Sequence, residues 1–104
     1  MRVELLYRDG DPAVMEARQR LVEVLTEDAF ETPIQLVAVS SEADAELLGM
    51  RGSPMIRIDG ADIDPEWDGP MGLAARVYGD QPIPGKDLIR AAVERARGWS
   101  HGRR

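Results

Sequence analysis

The chain has 104 residues, 43% hydrophobic and 31% charged, which is enough for one modest core and one domain. Nineteen acidic residues against thirteen basic ones leave a net charge of −6, which repels a phosphate backbone and argues against nucleic-acid binding. Cysteine is absent, so disulfides, thiolate nucleophiles, thiol redox cycling and thiolate metal sites are excluded, and a single histidine leaves little for soft metals.

No apolar run approaches the roughly 20 residues that a membrane span needs, and Met1-Arg2-Val3-Glu4 does not open a signal-peptide core. A cytoplasmic location without a membrane partner is the expectation. In chain order, Val3, Leu5, Leu6 and Tyr7 read as a buried first strand ended by Asp9-Gly10. A helix is expected at once. Asp11 suits its N-cap, Pro12 its first position, and Val14, Ala17, Leu21, Val24 and Leu25 recur every three or four residues. Thr32-Pro33 breaks that pattern, and residues 34 to 39, rich in β-branched side chains, follow as a strand.

Ser41 caps a short helix carrying Ala43, Leu47 and Leu48, with Asp44 in a capping-box-like position and Gly49 or Gly52 as its stop. Residues 55 to 58 and 61 to 63, joined by Asp59-Gly60, form the clearest hairpin signal, because this pair tolerates the positive φ angles of a two-residue turn. Residues 64 to 72 have no period and read as a loop whose Trp67 and Met71 form either a lid folded inward on the core, the favoured arrangement, or an exposed recognition patch for a partner protein or small ligand. A short strand over 73 to 78, a connection marked by Pro82, Pro84 and Gly85, and a helix over 86 to 97 complete the chain. Leu88, Ile89, Ala92, Val93 and Ala96 lie on one stripe of that helix.

Residues 1–98 therefore form the domain, and 99–104 a basic tail. Arg95, Arg97, His101, Arg103 and Arg104 gather at this end, which reads as solvated and frayed, with Trp99 packed on the last helix or used for self-association. The order βαβαββ(β)α implies a parallel first pair and a hairpin added antiparallel to the same sheet: an α/β fold with a mixed sheet flanked by helices.

Three segments carry a resemblance: Asp9-Gly10-Asp11-Pro12-Ala13-Val14, Gly52-Ser53-Pro54-Met55-Ile56-Arg57-Ile58-Asp59-Gly60, and Gly72-Leu73-Ala74-Ala75-Arg76-Val77-Tyr78. Together they resemble small bacterial thioredoxin-like proteins, some catalogued as alkylmercury-lyase-like, with a D-G-C-P-x-C turn, a G-S-P-x-I-R-x-D-G segment and a G-L-x-C-R-x-Y strand. The resemblance implies a thioredoxin-like fold, a cis Ser53-Pro54 bond, and a former active-site face of Asp11, Pro12, Val14, Ser53, Pro54, Ala75 and Arg76. Where that pattern has cysteines, this chain has Asp11, Val14 and Ala75, so thiol redox chemistry and organomercurial cleavage do not carry over.

At the start of a helix, Asp11 presents a carboxylate where the family stabilises a thiolate, and the expected result is an N-cap bonded to the N–H of Ala13 or Val14. Val14 and Ala75 imply a buried or closed former site. The acids Asp59, Asp62, Asp64, Glu66 and Asp68 do not match a calcium loop, because Trp67 and Leu73 stand where an EF-hand opened by Asp62 needs Gly and Glu. No metal or cofactor is expected. His101 lacks a triad partner, and Gly10 alone is no phosphate loop.

The expectation is a redox-inactive, thioredoxin-like domain acting as a protein- or peptide-binding or assembly module, with a homodimer among the admitted arrangements. The alternative is a thiol-independent enzyme acting on a small polar substrate in a pocket between Asp11, Pro54 and Arg76.

Overall fold

The computed structural model describes residues 1–28 and 32–98. Its elements are β1 (Val3–Arg8), α1 (Val14–Glu27), β2 (Ile34–Val39), α2 (Glu42–Leu48), β3 (Arg51–Ser53), β4 (Met55–Ile58), β5 (Ala61–Asp62), β6 (Gly72–Ala75) and α3 (Lys86–Ala96).

Four strands form a mixed sheet in the order β2-β1-β4-β5. β1 runs parallel to β2, with Val3 opposite Ile34 and Leu5 opposite Leu36, and antiparallel to β4, with Leu5 opposite Ile56. The hairpin is where the Asp59-Gly60 signal puts it: both residues have positive φ, 52° and 84°, as a two-residue turn of this kind requires.

Alternation along β1 separates two cores. Val3 and Leu5 join Leu21, Val24, Ile56, Ile89 and Val93 beneath α1 and α3, while Leu6 meets Val39, Ala45, Met50 and Met55 beneath α2. Burying a side chain such as Leu21 or Ile89 fully contributes about 1.5–3 kcal/mol, so the sheet is held chiefly through α1 and α3. Glu27 fastens these two helices at the surface through Lys86 at 2.6 Å and Arg90 at 2.5 Å.

Several expected boundaries move. The 73–78 strand shortens to β6, which pairs in parallel with β3 in a separate two-stranded sheet. Tyr78 forms only a bridge to Gln81. In α2 the Ser41 hydroxyl accepts from the Asp44 N–H at 3.0 Å and Gly49 ends the helix in the left-handed region, as expected. Its apolar face is not where the pattern implies: only Ala45 is buried, while Leu47 is 85% exposed. Seven residues give two turns, enough to set one small side chain against the sheet. No helix among the described residues is long and apolar enough to cross a membrane. Trp99, His101, Arg103 and Arg104 lie outside the described residues.

Candidate functional site

Three chain segments meet at the C-terminal end of β1. After Arg8 the chain turns through Gly10 at a φ of 87°, and Asp11 follows with only 8% of its surface exposed. Its Oδ1 accepts from the Ala13 N–H at 2.9 Å, and its Oδ2 accepts from the Ser53 hydroxyl at 2.5 Å. The same hydroxyl oxygen accepts from the Arg8 N–H at 2.7 Å. Each polar side-chain atom of the Asp11–Ser53 pair therefore has a partner, which is what polar groups removed from water require.

α1 begins two residues later than Asp11 capping would place it, at Val14, with Ala13 in the N-cap position and no side-chain cap. The physical reason is that residues 11 to 14 form a separate turn, in which the Val14 N–H donates to the Asp11 carbonyl at 3.4 Å. Asp11 caps that turn and ties it to Ser53.

The Ser53-Pro54 bond is cis. The carbonyls of both residues are engaged: the Arg76 N–H donates to the Ser53 carbonyl at 2.9 Å and the Tyr78 hydroxyl to the Pro54 carbonyl at 2.6 Å. Burial pushes the Tyr78 hydroxyl well above its ordinary range despite the opposing Arg76 cation, so it keeps its proton and remains a donor.

Arg76 faces the other way. Its side chain is fully buried and meets both oxygens of Asp62 at 2.8 Å, then the carbonyls of Arg51 at 2.9 Å and Asp64 at 3.0 Å. The guanidinium lies 4.5 Å from the Trp67 ring centre and 5.0 Å from that of Tyr78. Nε has no hydrogen-bond partner. Arg51 adds a second cation 3.7 Å from Asp62, and its guanidinium donates to the Trp67 carbonyl. Gly52, at a φ of 81°, permits this stacking: a Cβ there would sit 2.8 Å from the Arg76 Cβ and 3.0 Å from Trp67 Cη2.

These placements revise several expectations. Trp67 covers the Arg76 cation instead of roofing the apolar core, and Met71, expected inward, is exposed. A half-buried indole over a desolvated guanidinium gains both area and charge attraction, which the aliphatic core does not supply. Ala75 is exposed, Pro12 is exposed and Val14 is half-buried, so the face expected to be buried or closed is open and apolar around a buried polar pair. Pro54 and Ser53 lie beneath that surface.

Sequence reasoning missed Asp62 as the partner of Arg76 and weighed it only as one of a group of acids tested against a calcium loop. One signal was available: an arginine in the apolar run Leu73-Ala74-Ala75-Arg76-Val77-Tyr78 needs a buried carboxylate if it points inward. The enzyme alternative placed Asp11 and Arg76 in one pocket. No ion pair joins them, and the guanidinium belongs to Asp62. A cleft of about 220 Å³ lies elsewhere, between the hairpin and the end of α3, lined by Ile58, Asp59, Ala61, Asp62, Ala92 and Arg95 among others.

No family model, curated protein or solved structure matches this chain. The candidate site stands on its geometry. Within it the Ser53 hydroxyl donates to the Asp11 carboxylate and accepts from the Arg8 N–H, with no imidazole or amine among its partners. What it presents to solvent is the apolar surface of Pro12, Val14 and Ala75.

Proposed function

We propose that the chain is a non-catalytic thioredoxin-like module, working in the cytoplasm, that binds a protein or peptide segment across the face formed by Pro12, Val14 and Ala75, and that assembles with a second copy of itself. The observation that carries this reading is the commitment of Asp11: at the position where the resembling proteins carry a thiol, both carboxylate oxygens are already bonded within the fold. The strand order β2-β1-β4-β5, the cis Ser53-Pro54 bond and the placement of α2 opposite α1 and α3 support the thioredoxin-like part.

A partner at this face has apolar side-chain surface to cover, and little free backbone beside Pro54, because β6 and Tyr78 occupy the Ser53 and Pro54 carbonyls. Recognition there rests on side-chain contact at Pro12, Val14 and Ala75, with main-chain pairing contributing little. Ala75 is exposed, so Ala75→Arg alters the face without entering the core. In affinity capture from the native cell extract, the wild type retains a partner that Ala75→Arg loses, with both proteins showing the same thermal melt. A partner retained equally by both proteins, or by neither, sinks this assignment of the face.

A further inference from the structure

The two edges of the main sheet are treated differently. β5 is two residues long and set among Asp59, Asp62 and Asp64, the brevity and charge by which natural proteins discourage strand addition. β2 is six residues long, pairs with β1 in unbroken register, and contains no charge, proline or bulge. It lies inside the ten-residue stretch 32–41, Thr-Pro-Ile-Gln-Leu-Val-Ala-Val-Ser-Ser, which has no charged residue in a chain that is 31% charged. Among the described residues nothing pairs with its outer side.

The direction of its backbone groups follows from one bond. The Asp9 N–H donates to the Val39 carbonyl at 3.0 Å, so Val39 points its backbone at β1. Strand residues alternate sides, so Val37 and Gln35 also point to β1, while Ile34, Leu36 and Ala38 turn their N–H and C=O groups outward. The side chain of Leu36 lies on the α1 and α3 face, beside Leu5, and is 46% exposed.

We infer that β2 is a homodimer interface, pairing antiparallel with β2 of a second copy about a two-fold axis at Leu36. Such an axis stands perpendicular to the sheet, so each face continues across the junction and residues of equal side-chain sense oppose each other. Leu36 meets Leu36 of the second copy as a hydrogen-bonded pair, and Ile34 meets Ala38 on either side. All three outward-facing residues of each strand are then satisfied, both half-exposed leucines are covered at the axis, and two four-stranded sheets become one. A second copy suits this edge because a neutral apolar strand is complementary to itself. A charged peptide finds no opposite charge on it.

This specifies the assembly element of the reading above and fails separately from it, since Ala75 and β2 lie on different elements. Sedimentation equilibrium of the full chain across the micromolar range is expected to show a dimer. Leu36→Lys sets like charges opposite each other at the axis and weakens the dimer on the order of a hundredfold. Leu47→Lys, on the outer face of α2, leaves it intact. Because the chain lacks cysteine, Leu36→Cys gives a second test that does not depend on the charged variant folding. Hydrogen-bonded partners have Cα atoms about 5.5 Å apart, within disulfide range, so mild oxidation yields a covalent dimer. Ala61→Cys, on the β5 edge, remains monomeric in the same gel. A wild type monomeric throughout, a dimer that survives Leu36→Lys, or cross-linking at Ala61→Cys without Leu36→Cys overturns the inference.

Discussion

Ser53→Ala tests the carboxylate commitment on which the functional reading depends. The substitution takes a donor from Asp11 Oδ2 and an acceptor from the Arg8 N–H, while changing the apolar volume little. A hydrogen bond to a charged group contributes about 1.5–3 kcal/mol, and a buried donor left unpaired costs about 1–3 kcal/mol. Asp11 is 8% exposed and Ser53 3%, so water replaces these bonds only after local rearrangement, and even near the lower end of both ranges the two losses together come to about 3 kcal/mol. Against a total stability of about 5–15 kcal/mol this is a large fraction. At about 4–8 °C per kcal/mol it lowers Tm by roughly 12–24 °C.

The informative assay is a double-mutant cycle by urea unfolding at neutral pH, with Ser53→Ala, Asp11→Ala and the double variant. The Asp11–Ser53 bond is lost in each single variant and is counted twice when the two losses are added, so the expected coupling is about 1.5–3 kcal/mol. A coupling near zero, or a Ser53→Ala loss within the roughly 0.5 kcal/mol of a surface substitution, refutes the reasoning. Asp11 would then be free of Ser53 and available for chemistry.

Asp62→Ala leaves the buried Arg76 guanidinium without its counter-charge and costs about 3–5 kcal/mol; adding Arg76→Met recovers part of the loss, and a double variant less stable than Asp62→Ala contradicts the pairing. Tyr78→Phe costs about 1 kcal/mol at neutral pH through the lost bond to Pro54. The raised Tyr78 pKa means that the folded protein holds this proton after the unfolded chain releases it, so the associated stability is present below about pH 10 and falls as pH rises further. Tyr78→Phe flattens that alkaline decline in denaturant titrations, and an unchanged pH slope would count against it. Asp11→Cys with Val14→Cys places two thiols across the turn that precedes α1, whose ends lie within about 7 Å, so an oxidant closes them into a disulfide; failure to close on a mass-spectrometric thiol count would mean that the turn is not as described.

Much of the main sheet was legible because local signals agreed. Residues 34 to 39 read as a strand by β-branched content and are one, Asp59-Gly60 predicts a two-residue turn and makes it, and the apolar stripes of α1 and α3 face the core. The short elements were less legible. The expected strand over 73–78 keeps only its first half because Arg76 and Tyr78 turn inward to Asp62 and Pro54, and a backbone serving those contacts leaves the ladder. Met71 and Leu47 are exposed, since a turn or a two-turn helix lacks the area to bury every apolar side chain it carries.

By itself, the sequence determined what the site lacks. With no thiol anywhere, no arrangement of the chain can perform thiolate chemistry, and the uncharged run around β2 is equally a matter of composition. Only the tertiary structure decided which groups spend their charge on one another. Asp11 is 42 positions from Ser53, and Asp62 is 14 from Arg76. Separations of that size carry no periodic signal; the pairs form because the sheet brings the end of β1 beside the Pro54 turn and sets β6 against β3. Burial then enforces the pairing, because a charge removed from water must find a partner inside the fold.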